Sequence, residues 1–268
     1  MKKTLLAGSL AALMCGTAQA DTLLGLYIGG QIWSNEASGS FGEGADNQSV
    51  FEFDDENQGS FYVAFEHPIP LIPNIKIAST ALDTVGGTKI ASSFKFDGVT
   101  YDANSTLDTT LDASFVDYTL YYEVFDNDLL TFDFGLTARD LDASINVIEP
   151  VTQLQSDLDA SINVIEPVTQ LQSDLDVSGI IPMLYVSTII GLPFTGLNIF
   201  ADANFMSYDD QTVYDAQIGV SYALLDNLAV DFDVTLGYRT VKLEINDIDD
   251  FYSDLTYDGF FAGAVVHF

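Results

Sequence analysis

Thiol chemistry is the first thing this chain lacks. Its 268 residues contain one cysteine, Cys15, and that residue falls in a segment that reads as a removable leader. A mature chain without it forms no disulfide and offers no thiolate. Histidine is nearly as scarce, with His67 and His267 the two present. A hydrolase needs a nucleophile and a base within reach. No pairing of a serine nucleophile with either histidine can be read from the sequence. No enzyme and no cofactor are expected.

Positive charge is also scarce. Eight Lys and Arg stand against 40 Asp and Glu, for a net charge of −32. That balance excludes a nucleic-acid-binding face. Long apolar runs are missing too. Beyond the leader nothing approaches the ~18 uninterrupted apolar residues of a membrane helix. Yet 48% of residues are hydrophobic and mean hydropathy is +0.21. Acids that crowd loops and a lumen, with apolar side chains facing lipid, reconcile the two. Without helices, a closed β-barrel is the structure that spans a bilayer with its backbone satisfied.

Residues 1–20, MKKTLLAGSLAALMCGTAQA, carry the pattern of a signal peptide. Lys2 and Lys3 form a basic start, an apolar stretch follows, and Ala18-Gln19-Ala20 is a small-residue cleavage site. The mature chain then begins at Asp21. Cleavage before Cys15, as in a lipoprotein, is the rival, and Met14 fits it poorly. Removing the leader removes two lysines and no acid, which leaves a mature charge of −34. Residues 21–268 read as a single barrel domain.

The clearest strand is residues 228–239, LAVDFDVTLGYR. Leu228, Val230, Phe232, Val234, Leu236 and Tyr238 share one face; Asp231, Asp233, Thr235 and Arg239 share the other. Period-two alternation of this kind is a strand. Its length, tilted by roughly 40°, spans about 26 Å, close to the apolar band of an outer-membrane barrel. The phase slips beyond Tyr238, as expected where a strand leaves lipid or meets a bulge. Residues 130–139 repeat the grammar, with Asp133 and Arg139 on the polar face. Residues 114–125 do so with Asp117 and Glu123. Further strands are read at residues 22–34, 59–66, 75 onward (broken at Gly86-Gly87), 179–190, 197–207, 214–224 and 256–268. Asp97-Gly98 is a turn signal, and residues 100–110 read as a polar stretch. The expectation is an all-β, antiparallel, up-and-down transmembrane barrel of about ten strands, between eight and twelve. An even count places both termini in the periplasm.

Residues 141–157, LDASINVIEPVTQLQSD, recur unchanged as residues 158–174. An odd insertion inside a strand would exchange its lipid and lumen faces. The 17-residue duplication is therefore expected in an outer loop, as a hairpin-like or irregular segment or a short helix.

The polar faces suggest a lumen charge network of Asp133, Arg139, Asp231, Asp233, Arg239, Asp117 and Glu123. Asp133 is matched with Arg139, and Asp231 and Asp233 with Arg239. Such a set neutralises charge in a filled lumen or filters solutes in a narrow path. The acidic stretches 52–56 and 247–254 offer oxygen ligands to divalent cations, without an EF-hand pattern. The chain ends with Phe260, Ala262, Ala264, Val266 and Phe268 on one face.

Taken together with GIIPMLYV at residues 179–186 and FDFGLTAR at residues 132–139, that closing strand resembles small outer-membrane β-barrel proteins of Gram-negative proteobacteria. The resemblance implies a fold and a location, and no activity. It makes Phe260, Val266 and Phe268 an assembly signal read by the outer-membrane assembly machinery. Membrane lipid and lipopolysaccharide become the expected neighbours. Two functions stay open: a narrow passive pore for ions or small solutes, and a structural or adhesive surface barrel with a plugged lumen and acidic ligand- or cation-binding loops.

Overall fold

Alternating strands make up nearly all of the computed structural model, which describes residues 24–127, 129–150, 171–225, 227, 230–248 and 250–268. The expected leader lies outside these residues. The strands are β1 (Gly25–Glu43), β2 (Gln48–Phe53), β3 (Glu56–Glu66), β4 (Asn74–Thr80), β5 (Asp83–Lys89), β6 (Phe94–Phe96), β7 (Val99–Tyr101), β8 (Thr106–Asp112), β9 (Phe115–Asn127), β10 (Leu130–Glu149), β11 (Leu171–Leu192), β12 (Leu197–Tyr208), β13 (Gln211–Leu225), β14 (Asp231–Ile248) and β15 (Phe251–His267).

Ten of them close a ring, in the order β1, β3, β4, β9, β10, β11, β12, β13, β14, β15 and back to β1. Every ladder is antiparallel. The first and last strands pair from Tyr27↔His267 to Glu43↔Phe251. Closure leaves no row of unpaired backbone groups at this level. The ten-stranded up-and-down barrel expected from alternation is the fold.

Three ring strands have outer continuations. β2 extends β3 across Asp54-Asp55, β5 extends β4 across Ala81-Leu82, and β8 extends β9 across Ala113-Ser114. Together they link β1 to β10 through β2, β5 and β8. Two local readings change here. Gly86-Gly87 is no break, because it pairs with Phe53 and Glu52. Most of the polar stretch 100–110 is strand: Leu107, Thr109 and Leu111 are buried while Asp108 and Thr110 are exposed. Thr106, Asp108 and Thr110 face out because this part of the barrel stands clear of the apolar belt.

The polarity of both faces inverts at one level. On β15, Phe260, Ala262, Ala264 and Val266 face outward, continuing to Phe268, but the same face carries Asp254, Thr256 and Asp258 further out. Inward, the outer segment buries Phe251, Leu255, Tyr257 and Phe261. On β10 the outward face changes from Leu136 and Ala138 to Asp140 and Asp142, and the inward face from Thr137 and Arg139 to Leu141, Ile145 and Val147. On β14 the change falls between Tyr238 and Thr240 outside, and between Arg239 and Val241 inside. The ladder to β15 is in register from Asp231 to Ile245. The slip beyond Tyr238 is therefore a change of surroundings, with no bulge there. From Phe260 to Phe268 is eight strand steps, or about 21 Å of tilted height, near the ~25 Å apolar band of outer-membrane barrels.

The outer mouth is filled. β6 and β7 form a hairpin through Asp97-Gly98, whose φ values of 46° and 73° suit the twist of a two-residue turn. Phe94, Phe96 and Tyr101 are buried. Phe96 meets Phe41 edge-on at 5.2 Å and Phe251 at 6.4 Å, and Phe94 lies 5.9 Å from Phe51. Tyr101 reaches the opposite wall, where its hydroxyl donates to the Val147 carbonyl at 3.0 Å and lies 2.8 Å from Ser173 Oγ.

The duplication straddles strand and undescribed chain. The first copy's residues 141–149 are the outer end of β10 and the second copy's residues 171–174 begin β11; the two pair from Asn146↔Asp174 to Glu149↔Leu171, so these described ends take the hairpin-like form, one of those expected. They alternate in phase with the barrel below, which is why they continue it. Residues 151–170 lie outside the described residues, and with them the readings of a helix or irregular loop. β11 also settles a phase that its apolar sequence hid: Met183, Tyr185 and Ser187 face inward. Pro182 lies two residues beyond the end of the β12 ladder at Leu184, where one side of the strand needs no backbone donor.

Candidate functional site

Two arginines stand where the inward face changes from polar to apolar. Arg139 is 0% exposed. Its Nε donates to Asp117 Oδ1 at 2.8 Å, and its Nη2 to Asp117 Oδ2 at 2.7 Å and to Asp215 Oδ2 at 2.9 Å. Arg239 donates from Nε to Asp215 Oδ1 at 2.9 Å and from Nη2 to Asp215 Oδ2 at 2.7 Å and Thr80 Oγ1 at 3.1 Å. Asp117 on β9 sits directly opposite Arg139 on β10, and Asp215 on β13 is diagonal to Arg239 on β14, whose direct partner is Gln217. The two pairs thus leave different walls and meet in the lumen. Each guanidinium also covers an aromatic ring on the outer side: Arg139 lies 3.5 Å from the Phe115 centroid, Arg239 5.0 Å from that of Trp33. The planar fork of arginine suits bidentate pairing and ring stacking together. Two cations against two anions make this layer electrically neutral. Gly237, between Thr235 and Arg239 on the inward face, leaves room that a Cβ would take, 2.4 Å from the Ile218 carbonyl oxygen.

Below the layer lies a cavity of about 520 Å³. It runs from Arg239, Asp117 and Asp215 to His67, Pro68 and His267 at the end of the barrel where both described termini lie. Glu66, Glu123, Asp126, Asp133, Asp202 and Asp233 line it. Lys76 faces them, its Nζ 4.6 Å from the Tyr62 ring and 5.4 Å from that of Tyr185. Tyr121 donates to Glu66 Oε1 at 2.7 Å, and Gln217 Nε2 to Asp202 Oδ2 at 2.7 Å. Above the layer come Trp33, Phe115, Leu141 and the aromatic hairpin. The lumen is thus an acidic cup closed first by an arginine layer and then by an apolar plug.

The structure brings together Asp117, Arg139 and Arg239 of the residues singled out in the sequence, and adds Asp215. Arg139 pairs with Asp117 across the ladder rather than with Asp133, and Arg239 pairs with Asp215 rather than with Asp231 or Asp233. Cross-strand neighbours lie closer than residues six or eight apart on one strand, which explains both corrections. Asp133, Asp233 and Glu123 line the cup, and Asp231 meets His267 at its rim, 3.6 Å between Oδ2 and Nδ1. Asp215 had a readable signal: Asp215, Gln217 and Ser221 alternate with Tyr214, Ile218, Val220 and Tyr222. Phe260 and Val266 lie on the outward face, and the Phe268 amide donates to the Leu26 carbonyl at 3.0 Å. Among the described residues no group of three His, Cys, Asp or Glu could hold a metal ion. That includes the described parts of the acidic stretches 52–56 and 247–254.

No family model and no curated protein sequence matches this chain. Solved structures similar to it are outer-membrane barrels. The toluene transporter TodX of P. putida is 9% identical, over 92% of this chain and 90% of that one, with a TM-score of 0.31. The transport unit of the autotransporter AIDA-I from Escherichia coli is 11% identical over 97% and 96%, with a TM-score of 0.37. A FadL homologue of Pseudomonas aeruginosa is 9% identical over 91% and 90%, with a TM-score of 0.27. Likenesses this slight carry no argument, and the fold stands on its own ladders.

Proposed function

We propose that this protein is a bacterial outer-membrane barrel that holds a passage for small cations shut at rest. The observation that carries this reading is the stacking of an acidic cup, a neutral arginine layer and a removable aromatic hairpin along one lumen. An outward belt of Leu26, Ile28, Ile32, Phe61, Leu120, Leu136 and Phe260 is exposed, which suits lipid and is far larger than a soluble surface tolerates. In this reading residues 1–20 are the export signal and both termini face the periplasm. Lipopolysaccharide then meets the polar strand extensions, and the assembly machinery reads Phe260, Val266 and Phe268.

The plug is tied to the wall rather than woven into it. Lys95 on β6 lies 2.8 Å from Glu43 Oε2, and the Gly98 amide donates to Glu43 Oε1 at 3.1 Å. Beneath it the β5–β8 ladder ends at Lys89↔Thr106, and the next residue continues it with one bond, the Ile90 amide donating to the Ser105 carbonyl at 3.1 Å. Asn-Gly in place of residues 91–104 would close that ladder as a two-residue hairpin. Planar-bilayer recording of the two folded proteins tests the reading. Wild type should be silent and the shortened protein should give steady, cation-preferring steps. Steady conduction by wild type would contradict a closed rest state. Silence from the folded, shortened protein would end the passage reading.

A second reading, a structural surface barrel, is favoured by one observation: β10 and β11 carry a polar, acidic outer face well beyond the apolar belt. It expects silence from both proteins.

A further inference from the structure

The cup holds more negative charge than the lumen answers. Asp117 and Asp215 have their arginines. Glu66, Glu123, Asp126, Asp133 and Asp202 face one ammonium, that of Lys76, among the described lining residues. Asp133 sits directly opposite Glu123 in the ladder, and two carboxylates so placed repel each other. Asp133 is 7% exposed, lines the cavity, and its Oδ1 has no hydrogen-bond partner. A buried carboxylate oxygen left without a donor calls for one from outside the chain.

We propose that the cup is a binding site for linear aliphatic oligoamines, such as a triamine, entering from the end where the termini lie. The carboxylates are spread over β3, β9, β10 and β12. A single metal ion cannot answer groups so dispersed, and no three of them converge on a metal position. Ammonium groups spaced along a flexible chain can. The cavity's 520 Å³ lies within the ~300–1,000 Å³ typical of small-molecule sites. Lys76 supplies an internal precedent: an alkyl chain ending in an ammonium that already rests over Tyr62 and Tyr185, held by the ring faces. An acidic, low-dielectric cavity also concentrates polycations ahead of monovalent ions.

The site rests on the geometry of the cup and does not need the hairpin to open. The test is equilibrium dialysis of radiolabelled spermidine against the folded, detergent-solubilised mature protein, in NaCl of about physiological strength. Folding is checked by heat-shifted gel mobility. Saturable binding is expected, weakened about tenfold or more in Asp133→Asn and in Glu123→Gln, as for loss of a charge-assisted contact. It should be unchanged in an Asp54→Asn/Asp55→Asn variant of the outer wall. Replacing part of the NaCl with MgCl2 at constant ionic strength should leave most of the spermidine bound. Absence of saturable binding to folded wild type would overturn the proposal. So would equal affinity in the cup variants, or full displacement by Mg²⁺, which would show a diffuse counterion atmosphere. Should a cup variant fail to fold, the Mg²⁺ competition on wild type still decides. A barrel silent in bilayers that binds spermidine loses the passage and keeps the site; one that conducts and does not bind loses the site alone.

Discussion

Arg139 and Arg239 share one carboxylate. Both reach Asp215 Oδ2 through Nη2, at 2.9 and 2.7 Å, from strands on different sides of the lumen. Asp215 therefore ties two walls together at the level where the inward face changes character.

That sharing makes the two arginines energetically dependent. Arg139→Ala leaves Asp117 buried without its bidentate partner, and loss of one side of a buried pair costs about 3–5 kcal/mol. Asp215 keeps Arg239 in that variant. In the double variant both aspartates are orphaned. Urea unfolding of the two single variants and the double variant should therefore show a non-additive loss, with a coupling energy of about 0.5–3 kcal/mol.

Trp33 is the sole tryptophan of the chain and is 0% exposed, between Arg239 and the plug. Its fluorescence should resist iodide in wild type. Replacing residues 91–104 should raise the quenching several-fold, because the layer above Trp33 is then open to water. Arg239→Ala should shift the emission while quenching stays low, since the plug remains.

The inversion of polarity predicts a sharp positional contrast on one face of β10. Leu136 lies in the apolar belt and Asp142 beyond it. Leu136→Arg should destabilise the lipid-inserted barrel by about 2–4 kcal/mol if near the midplane. Asp142→Arg, six residues along the same outward face, should fall within about 0.5 kcal/mol of wild type. Unfolding in lipid bilayers measures both.

The hairpin tether carries a pH signature. The hydrogen bond from Lys95 holds the Glu43 carboxyl below its ordinary value of 4.5. A carboxyl with a lowered folded pKa stabilises fully above its unfolded value and loses that contribution as pH falls through the folded one. Wild type should therefore exceed Glu43→Gln in thermal midpoint at pH 6 to 7, and the gap should close as pH drops below about 4. The contact is partly exposed, so the gap is small and shrinks with salt.

The barrel was legible because lipid demands strict alternation, and residues 130–139 and 231–239 obey it on both faces. Strand count followed from the spacing of such segments. The outer extensions were harder. There the faces exchange character without a break in the chain, so Thr106–Asp112 presents Thr106, Asp108 and Thr110 outward and reads as a loop. The charge partners were hidden for another reason: Asp117 and Asp215 are fixed by cross-strand register, which no single strand displays. The plug hairpin announced its turn at Asp97-Gly98, but its burial depends on Phe41, Phe51 and Phe251, from distant parts of the chain.

The most direct test crosses the two barriers. Four folded proteins are recorded in planar bilayers: wild type, the shortened hairpin, Arg139→Ala/Arg239→Ala, and the combination. The account predicts silence from wild type and from the arginine variant, whose plug is intact. It predicts small cation-preferring steps from the shortened protein, and larger, more strongly cation-selective steps from the combination, where Asp117 and Asp215 are left unopposed. Conduction by the arginine variant alone, or the same steps with and without the arginines, would contradict it.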